Sequence, residues 1–377
     1  MTATVTAGRA VTGMAGRLAT AAQAVDAPGI VIAVSRRGHR TVHCGGTAPP
    51  PPVPRDQQRY EIGSASKTFT GLLLAELVRA GRLSYDDVAA DRLADGHPAN
   101  APRDSDRSTG RDRNTATLRH LITHTAGLPS LPADFYPQAV RRWSTDPYRG
   151  YPAERVVAAF LRNRPRHRPG TRWHYSNFGA SVLGHALAAA TGTPWEELLG
   201  HHVLGPLGLT GTRLHPEMPG AGTPGAEPAR TAAPRTDACG HRPDGVTPVP
   251  GLAMGGFQPA GAVRATPGDL LTYLEALLDP AGTPSAGTPL ADALHAVRRP
   301  LLRRGQGHRH THTLTWFQHP TPQGPLYFHA GATTGQQAFI GFRPATRTAV
   351  AAVCTRRVRL FRDTFIATAY ALLSDTE

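Results

Sequence analysis

Cysteine is nearly absent from this chain of 377 residues, which holds three. Cys44, Cys239 and Cys354 are scattered and odd in number, which excludes a disulfide framework and a paired-thiol metal knuckle. Such sparse thiols suit a reducing compartment. Long apolar runs are missing too. No stretch approaches the roughly 18 residues that a membrane-spanning helix needs, so no membrane partner is expected. The first 29 residues are mostly Ala, Thr and Gly interrupted by Arg9 and Arg17, without the continuous apolar core of an export signal. A cytoplasmic location is therefore expected. Acidic residues number 27 against 41 basic ones, a net charge of +14, and aromatics reach only 6%. Lysine has almost vanished: of the 41 basic residues only Lys67 is a lysine.

A charge of +14 raises the question of nucleic acid, because clustered cations neutralise phosphates. The arginines instead fall in short separate runs (Arg162 to Arg168, Arg298 to Arg304, Arg356 to Arg362), with no finger or basic-zipper spacing and no interleaved stacking aromatics. No nucleic-acid partner is expected. The excess charge reads as a solvated arginine surface that would also attract an acidic carrier protein or a phosphate-bearing small molecule. Replacing lysine by arginine is cheap on a surface. It is not possible where an amine must lose its proton, since guanidinium stays charged at ordinary pH.

With 377 residues, two packed lobes are expected rather than one core. Gly29 to Ser35 reads as a buried strand with a hairpin partner at Thr41 to Gly46, and Ser66 to Ala80 as a helix stopped by Gly81. Leu118 to His124, Ala153 to Asn163, Ala180 to Ala190 and Trp195 to Val203 read as helices. Gly96 to Thr115 and Met218 to Pro250 read as loops. Four strands follow at Thr313 to Gln318, Leu326 to Ala330, Gln337 to Phe342 and Thr348 to Cys354. A helix at Pro267 to Leu278 precedes them, and another, Arg362 to Leu373, ends the chain. Strands at both ends around a helical middle imply an α/β lobe from residues 1–80 and 255–377, with a helical lobe from 81–254 inserted into it. The cleft between two such lobes is the natural ligand site.

Three short motifs carry chemistry. Ser64 and Lys67 stand three apart at a helix start, on one face, so hydroxyl and amine lie within reach. Serine needs a neighbouring base, and lysine serves as one only when desolvation or a nearby cation lowers its pKa. The bland reading is a capping serine and a surface lysine. Tyr175 and Asn177, two apart after the turn at Arg168 to Thr171, point the same way. A phenol there can pass a proton, while an amide can hold a substrate carbonyl or orient the lysine. Asn177 would otherwise cap the next helix. His329-Ala330-Gly331-Ala332 ends a strand, where a glycine marks close approach of a ligand backbone and the Ala332 N–H is a second candidate oxyanion donor. Its bland reading is a strand end with His329 exposed. His308, His310 and His312 alternate on one strand face, yet no carboxylate or cysteine lies close by in sequence, so neither a metal nor a cofactor is assigned. Cys239 has no partner signature and is read as an inert thiol.

Ser-x-x-Lys, Tyr-x-Asn and His-x-Gly in this order resemble the serine β-lactamase and DD-peptidase family. The likeness is to the branch of class C β-lactamases, family VIII esterases, D-aminopeptidases and transacylases, and it runs from about Gly29 to the C-terminus. Thr117 to Leu128, Arg168 to Phe178, Gly205 to Leu209 and Pro259 to Arg264 support it. The resemblance implies a β-lactamase-like fold of α/β and all-α parts, an antiparallel sheet flanked by helices with the active site between the lobes. It implies Ser64 as the acylated nucleophile, Lys67 and Tyr175 as the proton-transfer pair, and Asn177, His329 and Gly331 at the substrate. The N–H groups of Ser64 and Ala332 would form the oxyanion hole. Class C β-lactamases usually carry lysine where this chain has His329, which disfavours β-lactam hydrolysis and favours ester or amide acyl transfer. The expected activity is a transacylase of natural-product or antibiotic biosynthesis, moving an acyl group from a small-molecule donor to an amine or alcohol acceptor. The alternatives are an esterase, amidase or β-lactamase-like hydrolase, and a non-catalytic acyl-ligand binding protein on the same scaffold.

Overall fold

A computed structural model of the chain describes residues 13–95, 114–216, 236–304, 310–357 and 364–375. Its centre is an antiparallel sheet of eight strands: β1 (Ile30–Arg36), β2 (His39–Gly45), β3 (Leu302–Arg304), β4 (His310–His312), β5 (Phe317–His319), β6 (Leu326–Ala332), β7 (Gln337–Arg343) and β8 (Thr348–Cys354). The spatial order is β2-β1-β8-β7-β6-β5-β4-β3, so the first strands of the chain pair with its last. Apart from the half-buried Arg36, β1 and β8 are β-branched or small and buried on both faces, the signature of central strands. The β1–β2 hairpin turns on Arg37 and Gly38, both at positive φ (54° and 85°), the geometry a two-residue turn demands.

The principal helices are α1 (Met14–Gln23), α2 (Ser66–Arg79), α3 (Asn177–Thr191), α4 (Pro267–Leu278) and α5 (Thr364–Ser374). Alternation along the strands sorts two cores. Ile30, Ile32, Val34, Val350 and Ala352 pack with Leu18 of α1 and Phe365, Ala369 and Leu373 of α5. Val31, Ala33, Ala351 and Val353 face the other way, into a larger core with α2, α3 and α4. Each fully buried aliphatic side chain contributes about 1.5–3 kcal/mol, so the sheet is clamped from both sides. α2 lies inside that larger core, with every residue from Ser66 to Leu77 buried.

Several readings need correction. Of the expected strand Thr313 to Gln318, only Phe317 and Gln318 are strand, at the start of β5, and residues 313–316 are a turn between β4 and β5. The Thr313 backbone N–H donates to Trp316 O (3.0 Å), and the Trp316 N–H donates to the Thr313 hydroxyl (3.0 Å), closing the chain on itself. The helix at Trp195 ends at Leu199 and continues as one wide turn, Gly200–Leu204. Within Met218 to Pro250, residues 217–235 lie outside the described residues, whereas Gly240–His241 pairs with Pro248–Val249. Residues 96–113 of the expected polar loop also lie outside them, and Asn114 is buried. Among the described residues no helix is long and apolar enough to cross a membrane.

Candidate active site

The site is built at the entrance to α2. Gly63–Ala65 forms a tight turn ahead of Ser66, and two glycines let strand β6 close on it. A Cβ on Gly331 would sit 1.9 Å from Ile62 O and 2.7 Å from Ser64 N. Gly63 has φ +50°, and a Cβ there would meet Ala332 N at 2.8 Å. Only bare backbone fits on either side of this contact. The consequence is that the backbone of β6 at Gly331 and Ala332 lies directly against the turn that carries Ser64. Gly331 is buried and Ala332 is exposed.

Lys67 lies one helical turn beyond Ser64 and is 2% exposed. Its Nζ donates to the backbone oxygen of Ala260 (2.8 Å) and sits 5.0 Å from the centre of the Tyr175 ring. The carbonyl comes from the short helix Gln258–Gly261 alongside α2, which Thr70 also grips by donating to Pro259 O (2.7 Å). Burial drives the Lys67 amine down to about 7, because a charged ammonium loses its hydration there. Burial pushes the Tyr175 phenol up to about 12, with the Ser64 hydroxyl acting in the opposite direction. At neutral pH the phenol is therefore protonated, whereas a substantial share of the amine is not. Ser64 itself is half-buried.

Asn177 opens α3, but the cap is Ser176, whose hydroxyl accepts from Gly179 N (2.9 Å). The Asn177 amide is thereby released for other partners and donates to the hydroxyl of Tyr148 (3.2 Å). Burial pushes Tyr148 up to about 12, so that hydroxyl is neutral. His329 is 3% exposed, which removes the reading of an exposed strand end. Its Nδ1 lies 2.8 Å from Ala330 O, a contact that requires the proton on Nδ1 and leaves Nε2 as an acceptor. Burial, with Lys67 as the next cause, lowers it to about 3, so the ring is uncharged.

One histidine escaped the sequence reading. His124 takes a left-handed backbone (φ 60°), its ring lies 4.5 Å from that of Tyr175, and its Nδ1 accepts from Ser176 N (3.3 Å). Its backbone oxygen accepts from His174 N (2.8 Å), so His124 holds the Tyr175 segment from both sides. Burial first, then Lys67, keeps it uncharged. The only sequence signal was its place in Thr117 to Leu128. His312, read from the sequence as structural or incidental rather than as a metal ligand, stands between Trp173 (5.3 Å between ring centres) and Phe317 (4.3 Å) in a wall that continues to His329 (5.3 Å from Phe317). His308 lies outside the described residues. Among the described residues no group of three potential ligands could hold a metal ion.

A class C β-lactamase structure superposes with a TM-score of 0.71 at 21% identity, covering 93% of this chain and 92% of that one. The D-alanine carboxypeptidase AmpC of Burkholderia cenocepacia gives 0.69 at 23%, covering 95% and 96%. Penicillin-binding protein 4 of Amycolatopsis lactamdurans is 27% identical over 298 residues, covering 76% of this chain and 69% of the relative. Several other curated relatives are matched over only about half their length (50–51%). The β-lactamase family model matches residues 17–374, and with that span the chain belongs to the β-lactamase family, within the serine β-lactamase/DD-peptidase superfamily.

Proposed function

We propose that the protein is a serine acyl-transfer enzyme working through an acyl-Ser64 intermediate. The observation that carries this reading is the buried Lys67 amine, brought down to about 7 and lying 5.0 Å from the centre of the Tyr175 ring, one helical turn from Ser64. Ser64 Oγ attacks the acyl carbon of an ester, thioester or amide, and its proton passes to the Lys67–Tyr175 pair. The Ser64 and Ala332 N–H groups take the oxyanion, a contribution worth about 10²–10³ in rate per donor. The pair returns the proton to the leaving alcohol, thiol or amine. In the second half the same groups deprotonate the acceptor, which attacks the acyl carbon and frees Ser64.

We assign the donor as uncharged where it meets His329. A neutral ring with Nε2 as acceptor favours an N–H or O–H group and gives no cation for a carboxylate. The net charge of +14 would still concentrate a donor whose charge lies away from the acyl carbon, such as a phosphate-bearing thioester or an acidic carrier protein. We favour an amine or alcohol acceptor over water, a bound acceptor having a high effective concentration at the acyl-enzyme.

A fluorophosphonate probe is expected to add one covalent mass at Ser64, and Ser64→Ala to abolish it. Wild-type protein that takes up no probe would overturn the reading. Turnover of a p-nitrophenyl ester with added amines then separates transfer from hydrolysis, since transfer yields amide in place of free acid.

A further inference from the structure

Six large apolar side chains are strongly exposed among the described residues, and three of them fall in one short segment: Tyr136 (46%), Val140 (70%) and Trp143 (48%). Tyr136 and Trp143 stack at 22° with ring centres 6.4 Å apart. This is an ordered aromatic surface facing water, the kind of surface that marks a ligand or partner site.

The patch is tied to the candidate active site through buried rings. Tyr136 packs edge-on against buried Phe135 (6.1 Å), and Phe135 packs against Tyr148 (5.3 Å). Tyr148 is the residue whose hydroxyl receives the Asn177 amide. Phe257, fully buried, anchors the ladder from below, 5.4 Å from Phe135 and 5.1 Å from Tyr148. The same strip of chain leads on to the Ala260 oxygen that holds Lys67. One run of packed rings thus links the solvent-facing pair to Tyr148 and through it to Asn177.

We propose that Tyr136, Val140 and Trp143 form an apolar subsite that receives an aromatic or alkyl arm of the substrate whose acyl carbon reacts at Ser64. This rests on the acyl-transfer reading above and extends it to the class of substrate. Three side chains are far too few for the roughly 800 Å² per partner that a standard protein interface buries. They suit a single apolar arm. Exposed arginines flank it at Arg141 and Arg142, so it is an island rather than part of a broad apolar face.

The test is ester kinetics with wild type, Trp143→Ala and the Tyr136→Ala/Trp143→Ala double variant. Val246→Ala, at an exposed apolar residue elsewhere (78%), serves as control. One series lengthens the acyl chain of p-nitrophenyl esters from acetyl to octanoyl, and the other lengthens the alcohol of acetate esters. The two series tell whether the arm belongs to the acyl or the leaving group. Wild type is expected to prefer the long arm in one series by about tenfold or more in kcat/KM, with the double variant losing that preference and Val246→Ala keeping it. A preference absent in wild type, or unchanged in double variant of native circular dichroism, overturns the subsite. So does a wild-type dimer that Trp143→Ala converts to monomer. Acetate turnover that persists in Ser64→Ala would instead overturn the acyl-enzyme reading, so the two failures are distinguishable.

Discussion

Lys67→Met is expected to make the protein more stable while destroying its activity. Burial lowers the amine from the ordinary lysine value of 10.5 to about 7. The unfolded chain therefore binds more protons between those two values, and stability rises with pH across that window. At pH 7 the wild type carries a penalty of about 4 kcal/mol for stripping or burying the charged amine, which shrinks to nothing near the ordinary lysine pKa. Methionine fills similar volume without charge, yet leaves Ala260 O without its 2.8 Å donor, a loss of about 1–3 kcal/mol. The difference is a net gain of about 1–3 kcal/mol at pH 7, turning into a loss of similar size near about pH 10.5. Urea unfolding of both proteins at a series of pH values measures it, with equal m-values confirming the same transition. A stability difference that stays constant across that range would refute the reasoning, since only a perturbed amine makes it vary.

Other outcomes follow from the same geometry. Ser64 acylation is expected to rise as pH passes through about 7 and then level off, because the neutral amine is the base; a flat profile from pH 5.5 to 9 would exclude Lys67 from that role. Gly331→Ala should lose about 10²-fold in acylation rate and about 1–3 kcal/mol of stability, as its Cβ meets Ile62 O at 1.9 Å and pushes β6 off the nucleophile turn; probe-labelling rates and thermal melts read both. Glu61→Ala should cost about 3–5 kcal/mol by stranding Arg264, held at 2.8 Å with both side chains buried. The Glu61→Leu/Arg264→Met pair should recover most of that in urea unfolding.

What could be read from the sequence was whatever local chemistry decides. The continuous β-branched run at Gly29 to Ser35 appears as β1 displaced by one residue, and Thr348 to Cys354 as β8 with the same ends. Ser64 and Lys67 were visible because one helical turn relates them. Thr313 to Gln318 looked like one strand by composition, but over residues 313–316 one threonine hydroxyl made a turn the better hydrogen-bonding solution, and the strand begins only at Phe317. The remainder of the site depends on tertiary contacts. Nothing in the sequence says that Tyr148 would take the Asn177 amide, or that Trp173 and Phe317 would bracket His312. His124 illustrates the limit: its importance lies in a left-handed backbone and a ring against Tyr175, neither encoded by any local pattern.

The solitary lysine has a practical consequence for spectroscopy. Isotope-labelled lysine would place a single ε-amino reporter in this sequence, and that nucleus would sit beside Ser64 and Tyr175. One resonance, free of overlap, would then follow protonation, substrate arrival and acyl-enzyme lifetime without any engineered tag.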